Sequence, residues 1–504
     1  MNEQSAPLLK GIEVSTFYER LSTLDNSFLA LETPSIHMHV AGLAVFEAGS
    51  LRTPEGGVDV ASIGAHIASK LHLIPRYRQR LAYVPFEQHA VWVDDEQFSI
   101  DYHVRHTSLP RPGSMSQLRA LMGRLVSQPL DHSKPLWEVW VVEGLAGDRF
   151  GLISKVHHCM IDGIASVDLM AVLFSLSPVA EVAEPEAFEP RPIPTGTELV
   201  VRETARRAGR AVGALRSVRT LVEDAQTLAQ HGVRRVRAVG ASLSSGWLSQ
   251  ASDTPLNGEP GTNRVFGTLD TDLDTIKSIK NALGGSVNDV VLAAVAGGVR
   301  SFLRGSDFDV SGIDFRVMAP VSVRSLSDRG TMGNQVAMWL ASLPVGEPDP
   351  VARLEAVKRE TMKLKTTDQA LGAATLVSLS AGAPATLVSL ASRLASGARP
   401  FNMTVTNVPG PQVPLYFLGA ELVAQYPLVP LWHGHGIGVA LFSYNGSVAW
   451  GFNSAYDVVP DVDGFAAAVE ASIRELAAAA AGPPRATRAS RPKRRPPLEH
   501  AKSP

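Results

Sequence analysis

The sequence predicts an α+β protein built as two halves joined by a long crossing segment. Three observations predict it. Residues 20–175 mix strand-like alternation with helical spacing, residues 263–480 repeat that mixture, and the composition between them suits neither core. The expected divisions are 1–175, 176–262 and 263–480, with a tail at 481–504.

The elements follow in chain order. In the first half, "HMHVAGLAVFEAG" and "LWEVWVVEGL" alternate or run apolar as strands do. The second is followed by "AGDRFGLISKVHH", so Gly147 and Asp148 are expected to close a hairpin. Residues 176–197 carry five prolines and four glutamates, the composition of an extended exposed connector. The arginine-rich stretch that follows places Leu199, Val200, Ala208, Val212, Leu215, Val218 and Val222 at helix spacing, an apolar stripe beside a basic one. Two readings of that helix stand: a bridge packed on the domains, or a helix lying on an anionic membrane surface.

In the second half, "DLDTIKSIKNALGG" reads as a helix stopped by two glycines. "VNDVVLAAVAGGVRSFL" reads as a helix with Asn288 as its cap, and "FRVMAPVSVR" as a strand. "GVALFSYNGSVAWGFN" is a hairpin turning at Asn445-Gly446, and Asp461 caps a last helix with Phe465, Val469, Ile473 and Leu476 on one face. The basic, proline-rich stretch from Gly482 onward has almost nothing apolar to bury and is expected to be a solvated tail, with an anionic lipid or nucleic-acid contact as the other reading.

Composition narrows the function classes. At 504 residues the chain is too long for one ordinary core, and 45% hydrophobic with 19% charged residues is a globular balance. A net charge of −2 points to no polyanionic partner, so nucleic acid is not expected. The single cysteine, Cys159, excludes an intramolecular disulfide and fits a reducing compartment. The first residues lack a continuous apolar run, and no stretch of about twenty uninterrupted apolar residues exists, so neither a signal peptide nor a spanning helix is expected. The expected location is the cytoplasm, soluble or peripheral at a membrane or lipid-body surface.

The chemistry concentrates in "LISKVHHCMIDGIASVDLM", residues 152–170. Period-2 alternation puts Phe150, Leu152, Ser154, Val156 and His158 on one strand face and His157 on the other. After Gly163 the spacing turns helical, so His158 is expected at a strand-to-helix turn, where rigid elements fix an imidazole that titrates near neutrality. A positioned base of this kind contributes about 10² to 10⁴ in rate. On the residues alone, a histidine pair satisfied in a core, a metal site and a covalent route through Cys159 all stay open.

The string "HHCMIDG" resembles the HHxxxDG motif of acyltransferases with the chloramphenicol acetyltransferase-like fold. Further stretches resemble one branch, the bacterial wax ester synthase/diacylglycerol acyltransferase family. "LSTLDNSFLALETPSIHMHVAGLAVFE" is similar to its N-terminal block, Pro135, Leu136 and Trp137 match its PLW motif, Asn288 and Asp289 match its ND motif, and "TVTNVPGPQVPLYFLGAEL" with "YPLVPL" is similar to its C-terminal block. The blocks stand in family order from about residue 20 to 475.

The resemblance implies two similar halves, each a mixed sheet with helices, facing across a central tunnel. It implies a CoA-dependent O-acyltransferase in which His158 deprotonates an acceptor hydroxyl that attacks the thioester of a long-chain acyl-CoA, without an acyl-enzyme. The implied acceptor is diacylglycerol or a long-chain alcohol, and no cofactor is implied. Asp162 is implied to be structural, with Arg316 or Arg324 as its partner. Asn288 is the first candidate to stabilise the oxyanion, with Thr404 and Asn407 behind it, while Trp137 reads as packing and Gly163 as a point of close backbone approach. The alternatives are a condensation-type transferase using carrier-bound acyl groups and a silent lipid-binding homologue. No phosphate-binding lysine loop occurs, and "GHGIG" at 434–438 lacks the frame of a dinucleotide fingerprint.

Overall fold

The computed structural model describes residues 16–87, 89–160, 172–180, 183–223, 249–322, 336–366 and 399–482. The N-terminal part runs β1 (Glu19–Arg20), α1 (Thr23–Leu31), β2 (His39–Glu47), α2 (Val60–Lys70), β3 (Gln79–Tyr83), β4 (Ala90–Asp94), α3 (Ile100–His103), β5 (Val104–Ser108), α4 (Met115–Val126), β6 (Trp137–Leu145) and β7 (Arg149–His157). The long crossing helix is α5 (Gly196–Glu223). There follow β8 (Arg264–Asp272), α6 (Leu273–Leu283), α7 (Val287–Gly305), β9 (Phe315–Ser322), β10 (Val336–Leu343) and α8 (Pro350–Thr366). The chain closes with β11 (Met403–Pro409), β12 (Tyr416–Phe417), β13 (Ala420–Leu428), β14 (Ile437–Tyr444), β15 (Ser447–Ala455) and α9 (Val462–Ala480).

Two six-stranded sheets carry these elements. The first has the order β12-β13-β2-β7-β6-β5 and the second β10-β9-β11-β14-β15-β8, with a small β1-β4-β3 sheet at the side. Both large sheets are mixed: β5 runs parallel to β6, and β11 runs parallel to both β9 and β14. The expected hairpins close as their sequences dictate, with left-handed backbone at Gly147 (φ 83°) and Asp148 (φ 59°), and at Asn445 (φ 43°) and Gly446 (φ 85°). The last helix starts on Asp461, whose carboxylate accepts the Gly464 N–H at 2.8 Å.

Apolar faces set the layers. One face of the second sheet packs its Val405, Val439, Leu441 and Trp450 against α6 to α9, which supply Ile276, Val291, Val295, Leu354, Phe465 and Val469. The first sheet is covered on one face by α4 through Leu118, Met122 and Leu125. Its other face, with Phe46, Phe150 and Val139, meets α2 through Ile63 and Ile67. Among the described residues no single helix is long and apolar enough to cross a membrane.

The two sheets are stitched together. After β11 the chain leaves the second sheet, adds β12 and β13 to the first beside β2, and returns as β14. The register pairs Leu422 with Phe46 and Leu428 with Ala41. The Tyr426 hydroxyl on β13 donates to Asp270 on β8 at 2.8 Å, tying the sheets side to side. The sheets also approach closely at Gly451 of β15, where a Cβ would overlap the carbonyl oxygen of Pro427 on β13 and press on the Phe266 ring.

The crossing helix is anchored at its start. Leu199 is buried against Val84, Val91 and Val93, and Tyr18, Arg20 and Arg206 converge on the buried Glu203 carboxylate. Side chains of this helix beyond residue 209 and the tail from residue 483 lie outside the described residues. The connector at residues 176–191 has neither helix nor strand among its described residues, bends at 176–179, and is mostly exposed.

The contact at Gly451 is testable. Gly451→Ala is expected to force β13 and β15 apart at a cost of about 1–3 kcal/mol, typical of overpacking. A lowered urea midpoint against the unaltered chain checks it, and an unchanged midpoint excludes a tight contact there.

Candidate active site

The end of β7 is gripped from both sides. The His157 N–H donates to the Leu136 carbonyl at 3.0 Å, and the next N–H, of His158, donates to the Met38 carbonyl at 2.7 Å. The PLW motif therefore serves the site through its backbone. Its Leu136 and Trp137 side chains are buried, and the Trp137 indole donates to the Tyr77 carbonyl at 2.8 Å while stacking on His103. Past His157 the strand gives way to a 3-10 turn over His158–Met160, which puts His158 on the expected joint.

The two histidines are held differently. His157 is fully buried, and its Nδ1 accepts the Cys159 N–H at 3.1 Å. An Nδ1 that accepts carries no proton, so the ring is the neutral tautomer protonated at Nε2. That Nε2 lies 3.2 Å from Glu32 Oε1, at an angle too bent for a good hydrogen bond. His157 is thus fixed in place and has no lone pair to offer a substrate.

His158 is half-buried rather than sealed, and its ring stacks on Phe28 with 4.0 Å between centroids. Its Nδ1 is enclosed without a hydrogen-bonding partner of good geometry, so only Nε2 can exchange a proton with a substrate. Burial pulls the imidazole down to about 4, with the neighbouring His157 adding to the drop and the carbonyl of its own residue opposing it. At neutral pH the ring is an uncharged, available base.

Around this pair stands a polar cluster. Glu32, just past the end of α1, reaches His132 Nε2 at 3.0 Å through Oε2 and accepts the Met38 N–H at 3.3 Å through Oε1. Burial pushes its carboxyl up, but the contact with His132 and the adjoining His157 ring prevail and hold it well below the usual carboxylate range. The same bond raises His132 above the ordinary imidazole value. His39 pairs with His157 across β2 and β7, is buried with neither ring nitrogen bonded, and is pushed well down by burial. Sequence reasoning did not single out Glu32, His39, His132 or Phe28. The available signal was His39 itself, a polar residue on the buried face of an otherwise apolar strand.

The second sheet reaches this place through aromatics. Trp432 packs with Phe28 at 6.5 Å and with Phe401 at 6.2 Å, and Phe401 clusters with Met318. Thr404 pairs with Met318 across β11 and β9, and its Oγ1 is buried without a partner. Met403 and Val405 point into the helix-covered core, so alternation turns Thr404 to the opposite face and Asn407 to theirs.

The remaining expected residues fall as follows. Ser286, not Asn288, caps α7: its hydroxyl accepts the Asp289 N–H while Asp289 accepts the Ser286 N–H at 2.7 Å, a capping box legible in "SVND". Asn288 sits at the second helical position, half-buried. Asp289 also accepts the Thr361 hydroxyl at 2.7 Å, joining α7 to α8. Arg316 binds Asp314 and Ser249, while Asp162, Gly163 and Arg324 lie outside the described residues, as does the helix expected after Gly163 up to residue 171. The Cys159 thiol is buried and pushed well up by burial, which disfavours its thiolate.

Comparisons with known proteins identify the family and the fold. The wax ester synthase/diacylglycerol acyltransferase catalytic domain matches residues 21–291, and the C-terminal domain of that family matches residues 332–477. A Mycobacterium tuberculosis protein assigned as a diacylglycerol O-acyltransferase is 32% identical over 483 residues, covering 91% of this chain and 90% of its own length. A second, tgs1 of the same organism, is 32% identical over 468 residues, covering 91% and 96%. The solved wax ester synthase/diacylglycerol acyltransferase from Marinobacter aquaeolei VT8 superimposes with a TM-score of 0.66 at 25% identity, covering 92% of this chain and 99% of that one. The starter condensation domain of rhizomide synthetase RzmA, solved with C8-CoA, gives 0.56 at 16% identity over 93% and 95%, a likeness of fold alone.

Histidine titration tests the electrostatics. With ring-labelled histidine, the His158 resonance is expected to stay neutral until the pH falls towards 4, whereas His132 charges above 6.5. Because the unfolded chain binds a proton at residue 158 near 6.5 and the folded chain does not, this group's contribution to stability is lost as pH falls from about 6.5 towards 4. A His158 midpoint near 6.5 contradicts the enclosed environment.

Proposed function

The chain belongs to the wax ester synthase/diacylglycerol acyltransferase family, and from that premise we propose how it carries out acyl transfer to a lipid alcohol. The observation that carries the reading is the half-buried, uncharged imidazole of His158 at the strand-to-turn joint, with one nitrogen enclosed and the other left for a substrate. His158 Nε2 takes the proton of the acceptor hydroxyl as its oxygen attacks the carbonyl carbon of a long-chain acyl-CoA. The tetrahedral intermediate collapses, the C–S bond breaks, and the CoA sulfur takes the proton from the imidazolium. The products are an ester and free CoA thiol, and His158 ends as it began. The thioester itself supplies the activation, so the sequence of steps requires neither a cofactor nor an acyl-enzyme.

The oxyanion needs a donor, and such a donor is worth about 3–4 kcal/mol where it has been removed in other enzymes. The Thr404 hydroxyl has the best support, being buried, unpartnered and one strand from the Met318–Phe401–Trp432 group that reaches Phe28. Asn288 and Asn407 remain weaker candidates, one in the first turn of a helix and the other on the opposite strand face.

Diacylglycerol, giving triacylglycerol, is the preferred acceptor of this reading because the relatives at 32% identity are assigned that activity; a long-chain alcohol, giving a wax ester, is the second. A carrier-bound acyl donor is disfavoured, since condensation domains share only the fold. Contact with a lipid surface is part of the reading. Phe86, at the tip between β3 and β4, is 95% exposed, Tyr83 beside it is exposed, and Glu87 pairs with Arg20 and with Arg207 on α5, whose Val201 also faces solvent. An apolar tip beside an arginine-bearing helix suits an anionic lipid interface.

His158→Ala is expected to fold and to release CoA thiol from long-chain acyl-CoA plus diacylglycerol about 10² to 10⁴ times more slowly than the unaltered enzyme. Near-normal release removes His158 as the base. Phe86→Ser is expected to weaken flotation with vesicles containing anionic phospholipid while leaving the rate on detergent-dispersed substrate intact; unchanged flotation excludes the tip as a lipid contact.

A further inference from the structure

The Glu32 carboxylate lies where four parts of the fold meet: the end of α1, the approach to β2, the loop before β6 and the end of β7. Its Oε1 accepts the Met38 N–H and lies beside the protonated edge of His157, and its Oε2 holds His132. Met38 in turn accepts the His158 N–H through its carbonyl, so the residue that Glu32 grips by its N–H grips the base by its C=O. Phe28, which stacks on the His158 ring, stands four residues before Glu32, one helical turn away. We propose that Glu32 is a positioning residue for the acyl transfer, acting through the His157 ring, the Met38 backbone and α1 to fix His158. This inference rests on His158 being the base.

Charge matters to this role as well as shape. An ionised carboxylate can only accept, and it meets donors on both sides: the Nε2–H of His157, and His132, which Glu32 raises above the ordinary imidazole value. His37, His39, Lys155, Arg264 and Asp131 also face this cluster. An amide at position 32 has an NH2 that must face one of those donors. Turned towards His157 it opposes another N–H, and turned towards His132 it requires that ring to be neutral. Either way the grip on the end of β7 loosens, and small displacements of a reacting group cost on the order of 10² in rate.

The test uses the full chain with long-chain acyl-CoA and diacylglycerol. Glu32→Gln is expected to lower kcat by about 10²-fold while both KM values stay within about twofold and the melting temperature stays close to that of the unaltered enzyme. Glu32→Asp, which keeps the charge but retracts it by one methylene, is expected to recover part of kcat. The His157 ring nitrogens are expected to lose their single-tautomer signature in the Gln variant only. An unchanged kcat in Glu32→Gln, or equal losses of kcat and of folded protein in both variants, overturns the proposal. His158→Ala run in parallel separates two failures: if it keeps its rate, the base assignment falls and takes this inference with it. If it is inactive while Glu32→Gln keeps its kcat, only the role of Glu32 falls.

Discussion

The structure depends on how the last two residues of one strand direction are gripped. The N–H groups of His157 and His158 bond to opposite neighbours, Leu136 on β6 and Met38 before β2. His157 ends β7 and His158 opens the 3-10 turn, so the two imidazoles leave the chain into different surroundings, one fully buried and the other half-buried. The pair looks redundant as sequence and is divided in labour as structure. The buried ring accepts the Cys159 N–H and sets its Nε2 beside Glu32, while the half-buried one has its Nδ1 enclosed without a partner.

A grip of that kind is only as rigid as the sheet behind it, and this sheet is closed by strands from the far end of the chain. β13 joins β2 on the side opposite β7, so the strand that bonds the His157 strand along its whole length is itself held by residues 422–428. The Tyr426–Asp270 bond and the close passage of Gly451 under Pro427 carry the same connection into the second sheet. Burial raises the Asp270 carboxyl, and the tyrosine bond opposes it, so this tie is made where water is scarce and hydrogen bonds are worth more. Separation of the halves would therefore disturb the site directly.

What the sequence made legible was local. Alternation marked β2, β6, β7 and the β14–β15 hairpin, and helical spacing marked α6, α7 and α9. The motif blocks led to the family. What stayed illegible was long-range: nothing in "AELVAQYPL" says that it pairs with residues nearly four hundred positions earlier, because a strand's pattern records which face is buried and not which neighbour it bonds. The same holds for Glu32, His132 and His157, which converge from three separate segments. The cap of α7 is local and legible: Ser286 and Asp289 stand at capping-box spacing on either side of Asn288.

An imidazole lowered to about 4 is a weaker base than a free one, which looks like a poor choice for deprotonating an alcohol. In the proposed reaction the choice follows from what must be avoided. The substrate thioester is open to hydrolysis, and a solvated histidine would activate water as readily as a lipid hydroxyl. Stacking Phe28 on His158 shields one face of the ring from water at the expense of intrinsic basicity. The deficit is confined to the isolated imidazolium, because proton removal and nucleophilic attack create a positive ring and a negative oxygen together. In a site of low dielectric these opposite charges stabilise each other far more than they would in water. The burial that weakens the base at rest therefore strengthens the ion pair formed in the transition state, and only an acceptor that brings its hydroxyl into that dry contact benefits.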